Sequence, residues 1–227
     1  MIYILILLLL LTLIFWPQYW VKAVLARYNR REEENFPGTG GEFARHLLDR
    51  FELAHIKVEA TEHGDHYDPE SQCVRLSKDK FGAKTLTAIT VAAHECGHAL
   101  QHAAKEPLFQ WRTQLAYSSL WASRIGSFLL FSAPFLVMVT RAPSVALINF
   151  TGAFLIMGFG ILVQLITLPV ELDASFNKAM PMLKSGYLQP GQIPAAQKIL
   201  KAAAWTYVAG ALASLLNFWR WMAVFRR

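Results

Sequence analysis

The chain has 227 residues with a formal net charge of +6, and 54% of its residues are hydrophobic. Because a typical soluble domain is only about 45–50% apolar, an ordinary soluble protein with buried helices explains this composition poorly. The basic residues border the apolar segments, where attraction to anionic lipid headgroups accounts for them, and we therefore expect no nucleic-acid partner.

The first element is an almost unbroken apolar run at the N-terminus. About 20 apolar residues suffice to cross the hydrocarbon core of a bilayer, so residues 1–21 are predicted to be a transmembrane anchor. A cleavable signal peptide is the alternative. No Lys or Arg precedes the run, however, and Trp16, Pro17 and Tyr19 stand where cleavage would need small residues.

The second region, residues 22–118, combines helical and extended patterns. A break rich in Pro and Gly precedes Thr39, which can cap an amphipathic helix. Residues 56–60 alternate between apolar and polar, and residues 73–77 form another short extended stretch, so a small β hairpin or sheet is predicted. From about Lys80 the pattern is helical again.

This second helix carries the sequence His-Glu-Cys-Gly-His, from His94 to His98. Residues four apart share one face of a helix, so both imidazoles can bind a single metal ion. Zinc lowers the pKa of a bound water from about 15.7 to about 7, and a neighbouring carboxylate such as Glu95 can take its proton. The motif predicts a zinc-dependent metalloendopeptidase with one catalytic ion, two histidine ligands and Glu95 as general base.

A membrane scaffold or adaptor with a structural metal site is the alternative function. Structural zinc sites are usually closed by four ligands that include cysteine thiolates. Cys73 and Cys96 form no CxxC pair, and Cys96 faces away from the histidines at helical spacing, which favours a packing role. A closed site also has no use for Glu95, so the peptidase is favoured.

Three further apolar blocks lie in the third region, residues 119–227. Two of them, about 125–140 and 145–170, are so close that a membrane hairpin is predicted. The last, about 202–219, ends in Trp and Arg residues that suit a headgroup boundary. The predicted fold is thus a mainly α integral membrane protein with a small β element and about four transmembrane helices around a zincin-like motif helix, in one integrated peptidase domain.

The distribution of Lys and Arg predicts the orientation of these helices. Four basic residues at positions 22–31 follow the first apolar run, whereas the hairpin tip holds only Arg141. The metal site is therefore predicted on the cytoplasmic side of a multi-pass protein. The two arginines at the C-terminal end disagree with this scheme, unless the last helix lies in the interface.

A catalytic zinc needs a third protein ligand. The metzincin position, ten residues after the first histidine, is Ala104. His102 would lie about 12 Å from His94 along the helix axis, too far to share an ion at about 2.1 Å, so packing or support of the site explains it better. A carboxylate from a distant helix remains, and Glu171 is the best candidate because it follows the predicted hairpin. The alternative is that Glu171 and Asp173 only end a helix in water.

Six motifs occur along the chain in a fixed order: Thr39-Gly-Gly-Glu-Phe-Ala-Arg, Asp65-His-Tyr-Asp-Pro, Val74-Arg-Leu-Ser, Val91-Ala-Ala-His-Glu-Cys-Gly-His-Ala-Leu-Gln-His, Leu168-Pro-Val-Glu-Leu-Asp-Ala-Ser and Leu200-Lys-Ala-Ala-Ala-Trp-Thr-Tyr-Val-Ala. Together they resemble the YugP-like neutral zinc metallopeptidases of bacterial membranes. The resemblance implies a zinc peptidase of the bacterial cytoplasmic membrane with His94, His98 and Glu171 as ligands and Glu95 as base. Cys96 stands where that family usually has an aliphatic residue.

The more distant HtpX-like and CAAX-type membrane peptidases are similar in plan, with a supporting aspartate four residues after the glutamate. Here that position is Ser175, which implies a different support for the ligands. Asp173, Asn177 and His66 are the candidates, and the choice among them stays open. His66 is better explained as a residue that fixes its own loop than as a group that stabilises an oxyanion.

The expected partners are a lipid bilayer and a polypeptide substrate associated with the membrane. Main-chain pairing with the extended stretch from Cys73 to Ser77 is a further expectation for how the substrate is aligned. The sequence carries no signal for the oligomeric state.

Overall fold

The computed structural model describes residues 2–29 and 36–225. Helices alternate with one small sheet, and the elements in chain order are α1 (Ile2–Asn29), α2 (Gly40–Arg50), β1 (Lys57–Thr61), β2 (His66–Asp68), β3 (Cys73–Ser77), α3 (Lys78–Phe81), α4 (Leu86–Ala103), α5 (Pro107–Thr140), α6 (Pro143–Leu172), a π-helical segment (Asp173–Ala179), α7 (Met180–Lys184) and α8 (Ile193–Phe225). The arginines at positions 30, 31, 226 and 227, which entered the orientation argument, lie outside the described residues.

The predicted cap of α2 is confirmed. The backbone N–H of Glu42 donates to Thr39 Oγ1 at 3.4 Å, and the Glu42 carboxylate accepts from the Thr39 N–H at 2.8 Å. This reciprocal capping box satisfies two backbone donors that have no partner within the helix. The amphipathic face of α2 is buried as its spacing predicts, with Leu47 and Leu48 in the core.

The small sheet has three strands in the order β1-β3-β2. Strand β3 pairs in parallel with β1 and antiparallel with β2, so Val74 lies opposite both Val58 and Tyr67. The alternating pattern predicts β1 and β3 but not β2, which forms within a segment rich in turn residues. Because β3 is central and both its edges are occupied, the expectation that it pairs with a substrate is wrong.

Helix α4 is the central element of the fold. Residues 86–99 are buried without exception, and α2, the π-segment, α8 and α1 all pack on this helix. Thr85 caps its N-terminus by accepting from the N–H of Ala88 at 3.1 Å. Helix α4 is therefore buried around its whole circumference, as expected of a helix enclosed by protein.

Helices α5 and α6 pack along one another and form the predicted helical hairpin. The connection turns at Arg141, whose backbone is left-handed with φ of 51°. Large apolar side chains on the outer surface of α5 are exposed, among them Phe128, Phe131 and Phe135 at 70%, 86% and 62%.

The prediction of an integral membrane protein with about four transmembrane helices is wrong for the described part of the chain. None of its helices is both long and apolar enough to cross a bilayer. Residues at the ends of three of these blocks, Val21, Val170 and Ala202, instead lie in the protein's own core, where each is at most 4% exposed. The predicted cytoplasmic location of the metal site depended on those crossings and is therefore not supported.

The carboxylate of Asp68 at the end of β2 holds the adjoining turn. It accepts hydrogen bonds from Ser71 Oγ and from Arg75 Nη1, both at 2.7 Å. Burial opposes ionisation of Asp68, but these hydrogen bonds outweigh it and lower its pKa to about 2.

We expect Asp68→Asn to lower the free energy of unfolding by about 1–2 kcal/mol at neutral pH. Because the folded pKa lies below the unfolded value of about 3.9, this stabilisation is present above that value and is lost as the pH falls towards about 2. Urea unfolding of both proteins across this range measures the difference. Glu62→Gln is the matched control, since its pair with Lys78 is exposed to solvent and is expected to contribute almost nothing. A difference that persists unchanged at pH 2 would contradict the assignment to Asp68 ionisation.

Candidate metal centre

Three functional side chains project from the buried helix α4. His94, Glu95 and His98 are 7%, 6% and 3% exposed. The two imidazole rings lie with their centroids 4.7 Å apart, as expected for residues four apart on one helical face.

Glu171, near the end of α6, completes a cluster with these histidines. Its Oε2 atom lies 3.2 Å from His94 Nε2 and 3.3 Å from His98 Nε2. In a tetrahedral site with bonds of about 2.0–2.1 Å, ligand atoms are separated by about 3.3–3.4 Å. The two distances from Glu171 therefore match the ligand spacing of a zinc site, and all three ligand atoms lie within 4.8 Å of one another.

Each histidine is oriented by a second contact at its Nδ1 atom. Nδ1 of His98 donates to Gln101 Oε1 at 2.9 Å, and Nδ1 of His94 pairs with the Ser175 hydroxyl at 3.1 Å. With Nδ1 occupied, both rings present Nε2 to Glu171. Contacts of this kind fix the tautomer and the ring orientation of metal ligands.

Gln101 links the motif helix to the π-segment. Its Nε2 atom donates to Asp173 Oδ2 at 2.8 Å and to the Val170 carbonyl at 3.0 Å. Asp173 also accepts from Asn177 at 2.8 Å. Of the candidate supports, Ser175 thus contacts a ligand directly, Asp173 acts through Gln101, and Asn177 lies one contact further out.

The other two candidate histidines lie apart from the ligand cluster. His102 Nδ1 pairs with the Tyr67 hydroxyl at 2.8 Å, and its ring stacks on Phe109. His66 pairs with the Gly64 carbonyl of its own loop at 2.9 Å. Both histidines thus make contacts outside the ligand cluster, and their predicted packing and loop-fixing roles stay predictions.

The π-segment approaches α4 closely because residue 97 is glycine. A Cβ atom added to Gly97 would lie 2.8 Å from the Ala174 carbonyl oxygen, closer than side chains approach backbone. Ser175 reaches His94 from this segment. π-helical turns occur frequently at functional sites, and here the turn carries the contacts that orient one ligand and tether the other.

Neither cysteine belongs to the cluster. Cys96 is fully buried with its thiol directed at the Ala44 carbonyl, and Cys73 Sγ contacts the Val74 carbonyl. Burial raises the pKa of Cys73 to about 11 and also raises the pKa of Cys96. Both thiols are therefore protonated at neutral pH, unlike the thiolates of a structural zinc site.

Glu95 lines a cavity of about 170 Å³ beside the cluster. His94, Glu171 and Tyr207 line the same cavity, and its remaining walls come mainly from α1 and α8, from Val21, Leu25, Asp65, Val91, Ile199, Leu200, Ala203 and Thr206. One side of the ligand cluster thus faces open space next to a carboxylate, whereas a structural zinc site is usually closed by four protein ligands.

The charges of the site favour an ionised Glu171. Burial raises the pKa of this carboxyl, but the charge of His98 and hydrogen bonds from both histidines outweigh it and hold the pKa well below its ordinary value. Burial lowers the pKa of His94, whereas its hydrogen bond to Glu171 leaves that pKa raised. Burial is the main cause that raises the pKa of Glu95. Two imidazoles around a buried carboxylate form a donor set that fits a divalent zinc ion.

Three residues of the site were not found from the sequence. Gln101 could have been, because it lies three residues after His98 and so on a neighbouring helical position. Arg112, whose Nη2 atom lies 3.0 Å from Glu171 Oε1, and Tyr207 come from α5 and α8. Only the packing of these helices brings them to the cluster.

The sequence matches, over residues 3–226, the family model described as "Putative neutral zinc metallopeptidase". A protein of Bacillus subtilis (strain 168) named "Putative membrane protease YugP" is 35% identical over 217 residues, which make up 95% of this chain and 92% of that protein. No solved structure matches the chain.

We expect Glu171→Ala to weaken zinc binding at least 100-fold, because it removes one of three ligands from a site whose supporting contacts alone are typically worth 10–100-fold. Competition with a chromogenic chelator measures the dissociation constant, and circular dichroism verifies the fold. Glu59→Ala is the control, since that carboxylate is half exposed on β1. Unchanged zinc affinity in Glu171→Ala would remove Glu171 from the ligand set.

Gln101→Leu should weaken zinc binding about 10–100-fold, because it leaves His98 Nδ1 and the Asp173 carboxylate without their shared partner. The same chelator competition provides the measurement. Gln110→Leu, at an exposed position of α5, is the matched control. Equal affinities for the two variants would show that Gln101 does not orient His98.

Proposed function

Because the chain belongs to the family of putative neutral zinc metallopeptidases, we propose that it hydrolyses peptide bonds at the site formed by His94, His98 and Glu171, with Glu95 as general base. The family assignment also confirms the resemblance based on the six motifs. The observation that carries the proposal is that Glu95 lines one cavity together with two of the three ligands, His94 and Glu171.

Zinc bound by the two histidines and Glu171 would acidify the attacking water and polarise the scissile carbonyl. The chain's own residues supply the proton transfers. Glu95 takes a proton from the water as its oxygen bonds to the carbonyl carbon, and the carboxyl group then gives this proton to the amide nitrogen as the C–N bond breaks. The products are a carboxylic acid and an amine, between which the second water proton then moves to give a carboxylate and an ammonium group, and Glu95 returns to its starting form.

The surroundings of Glu95 suit this role. Its carboxylate is 6% exposed yet borders the cavity, so a reacting water can be held there apart from bulk solvent. The hydrogen bonds at Nδ1 keep His94 and His98 fixed while Glu95 transfers its proton. The geometry of the metal ligands is therefore preserved between the steps.

We further propose that the substrates are polypeptides associated with a membrane. The name of the Bacillus subtilis relative describes that protein as a membrane protease. The exposed phenylalanines of α5 support the same proposal, because contiguous apolar surface of this kind marks contact with lipid or with an apolar partner.

Glu95→Gln is expected to retain its zinc and to lose about 100- to 10,000-fold in turnover, the usual contribution of general base catalysis. Cleavage of a fluorescently labelled unfolded polypeptide, followed with and without lipid vesicles, measures activity, and elemental analysis measures bound metal. The matched control is Glu70→Gln on the surface of the sheet region. Full turnover by Glu95→Gln would contradict the proposed mechanism. Cleavage at the same rate with and without vesicles would contradict a membrane-associated substrate.

A further inference from the structure

The second oxygen of Glu171 has a different environment from the first. Oε2 faces the two histidines, whereas Oε1 is buried on the other side of the carboxylate. Among the described residues, no donor makes a well-aligned hydrogen bond to Oε1. The Nη2 atom of Arg112 lies 3.0 Å from Oε1. Because its N–H bonds are not aligned with Oε1, this contact is an ion pair and not a hydrogen bond.

Arg112 is held in this place by the start of α5. Its guanidinium carbon lies 5.7 Å from the centroid of the Phe109 ring, one helical turn earlier. Phe109 is 2% exposed and also packs against the rings of His98 and His102. The cation is therefore attached to the same aromatic side chain that borders the motif helix.

The position of Arg112 matters because a carboxylate can bind a metal through one oxygen or through both. If Arg112 were absent, the buried Oε1 would be drawn towards the bound metal ion, and the site would then lose room for water. An arginine on the far side attracts Oε1 away from the metal and leaves Oε2 as the single ligand atom.

We propose that Arg112 is a positioning residue that keeps Glu171 bound through Oε2 alone and so preserves the open coordination position. This inference rests on the proposed metal site. In this role Arg112 makes no contact with the substrate: its side chain is 23% exposed, and its charge is directed at Glu171. The phenol of Tyr207 also interacts with this carboxylate, and burial raises the pKa of Tyr207, so the phenol stays protonated.

The test replaces zinc with Co²⁺ in the purified full-length protein and records the visible absorption without substrate. Cobalt bound by four ligands absorbs several times more strongly than cobalt bound by five. Arg112→Gln removes the charge, and Arg112→Lys keeps it and can replace a single nitrogen–oxygen contact. Arg124→Gln is the control, because that arginine lies on the same helix against Trp121, exposed and away from the cluster.

We expect the wild type, Arg112→Lys and Arg124→Gln to show the intense four-ligand spectrum, and Arg112→Gln to show the weaker five-ligand spectrum while still binding one metal ion. Its kcat should fall about 10–100-fold with little change in KM. An unchanged cobalt spectrum in Arg112→Gln overturns the inference, as does a large rise in KM with kcat preserved, which would make Arg112 a substrate-binding residue.

Folding is checked by thermal melting of the metal-free variants. If Arg112→Gln does not fold, Arg112→Met provides the same comparison with a neutral side chain of similar length, and failure of both to fold shows a structural role and overturns the inference. Because the spectrum needs no substrate, it is informative even if the protein cleaves no peptide, and an inactive Glu95→Gln leaves its outcome unaffected.

Discussion

The burial of the Glu171 carboxylate between two imidazoles is the interaction on which the rest of the site depends. Moving a charge out of water costs several kcal/mol unless partners compensate for it. Glu171 is 1% exposed, and His94, His98 and Arg112 surround it at 3.0 to 3.3 Å. Such compensation works only if α4, α5 and α6 keep their relative positions, so the packing of these helices and the electrostatics of the site stabilise each other.

Several features of the fold serve this one arrangement. The absence of a side chain at Gly97 lets the π-segment approach α4, which places Ser175 at His94. Gln101 then connects His98 to Asp173 across the same interface. A one-residue error in the register of α4 would turn both histidines away from Glu171, because neighbouring helical residues differ by about 100° in direction.

The local parts of the site could be predicted from sequence, because they depend on spacing along a single helix. His94, Glu95 and His98 are of this kind, and so is the cap at Thr39. Glu171 could be proposed because it follows a long helical hairpin that returns the chain to α4. Arg112 and Tyr207 could not, since no local pattern links them to ligand histidines that lie 14 residues or more away. The membrane prediction failed for a related reason: hydropathy along the chain does not distinguish an apolar side chain that faces lipid from one, such as Val170, that fills the protein's own core.

The walls of the cavity have a kinetic consequence. Val21 and Leu25 of α1 face Ile199 and Leu200 of α8 across the space that Glu95 borders, so segments from opposite ends of the chain enclose the reacting groups. A space of about 170 Å³ is close to that of an engineered cavity of about 150 Å³ that holds one benzene molecule. Under the proposed peptidase function, a space of this size admits single side chains and no folded segment. We therefore expect selection among substrates to depend first on how readily a polypeptide becomes locally unfolded, and only afterwards on the side chain next to the cleaved bond.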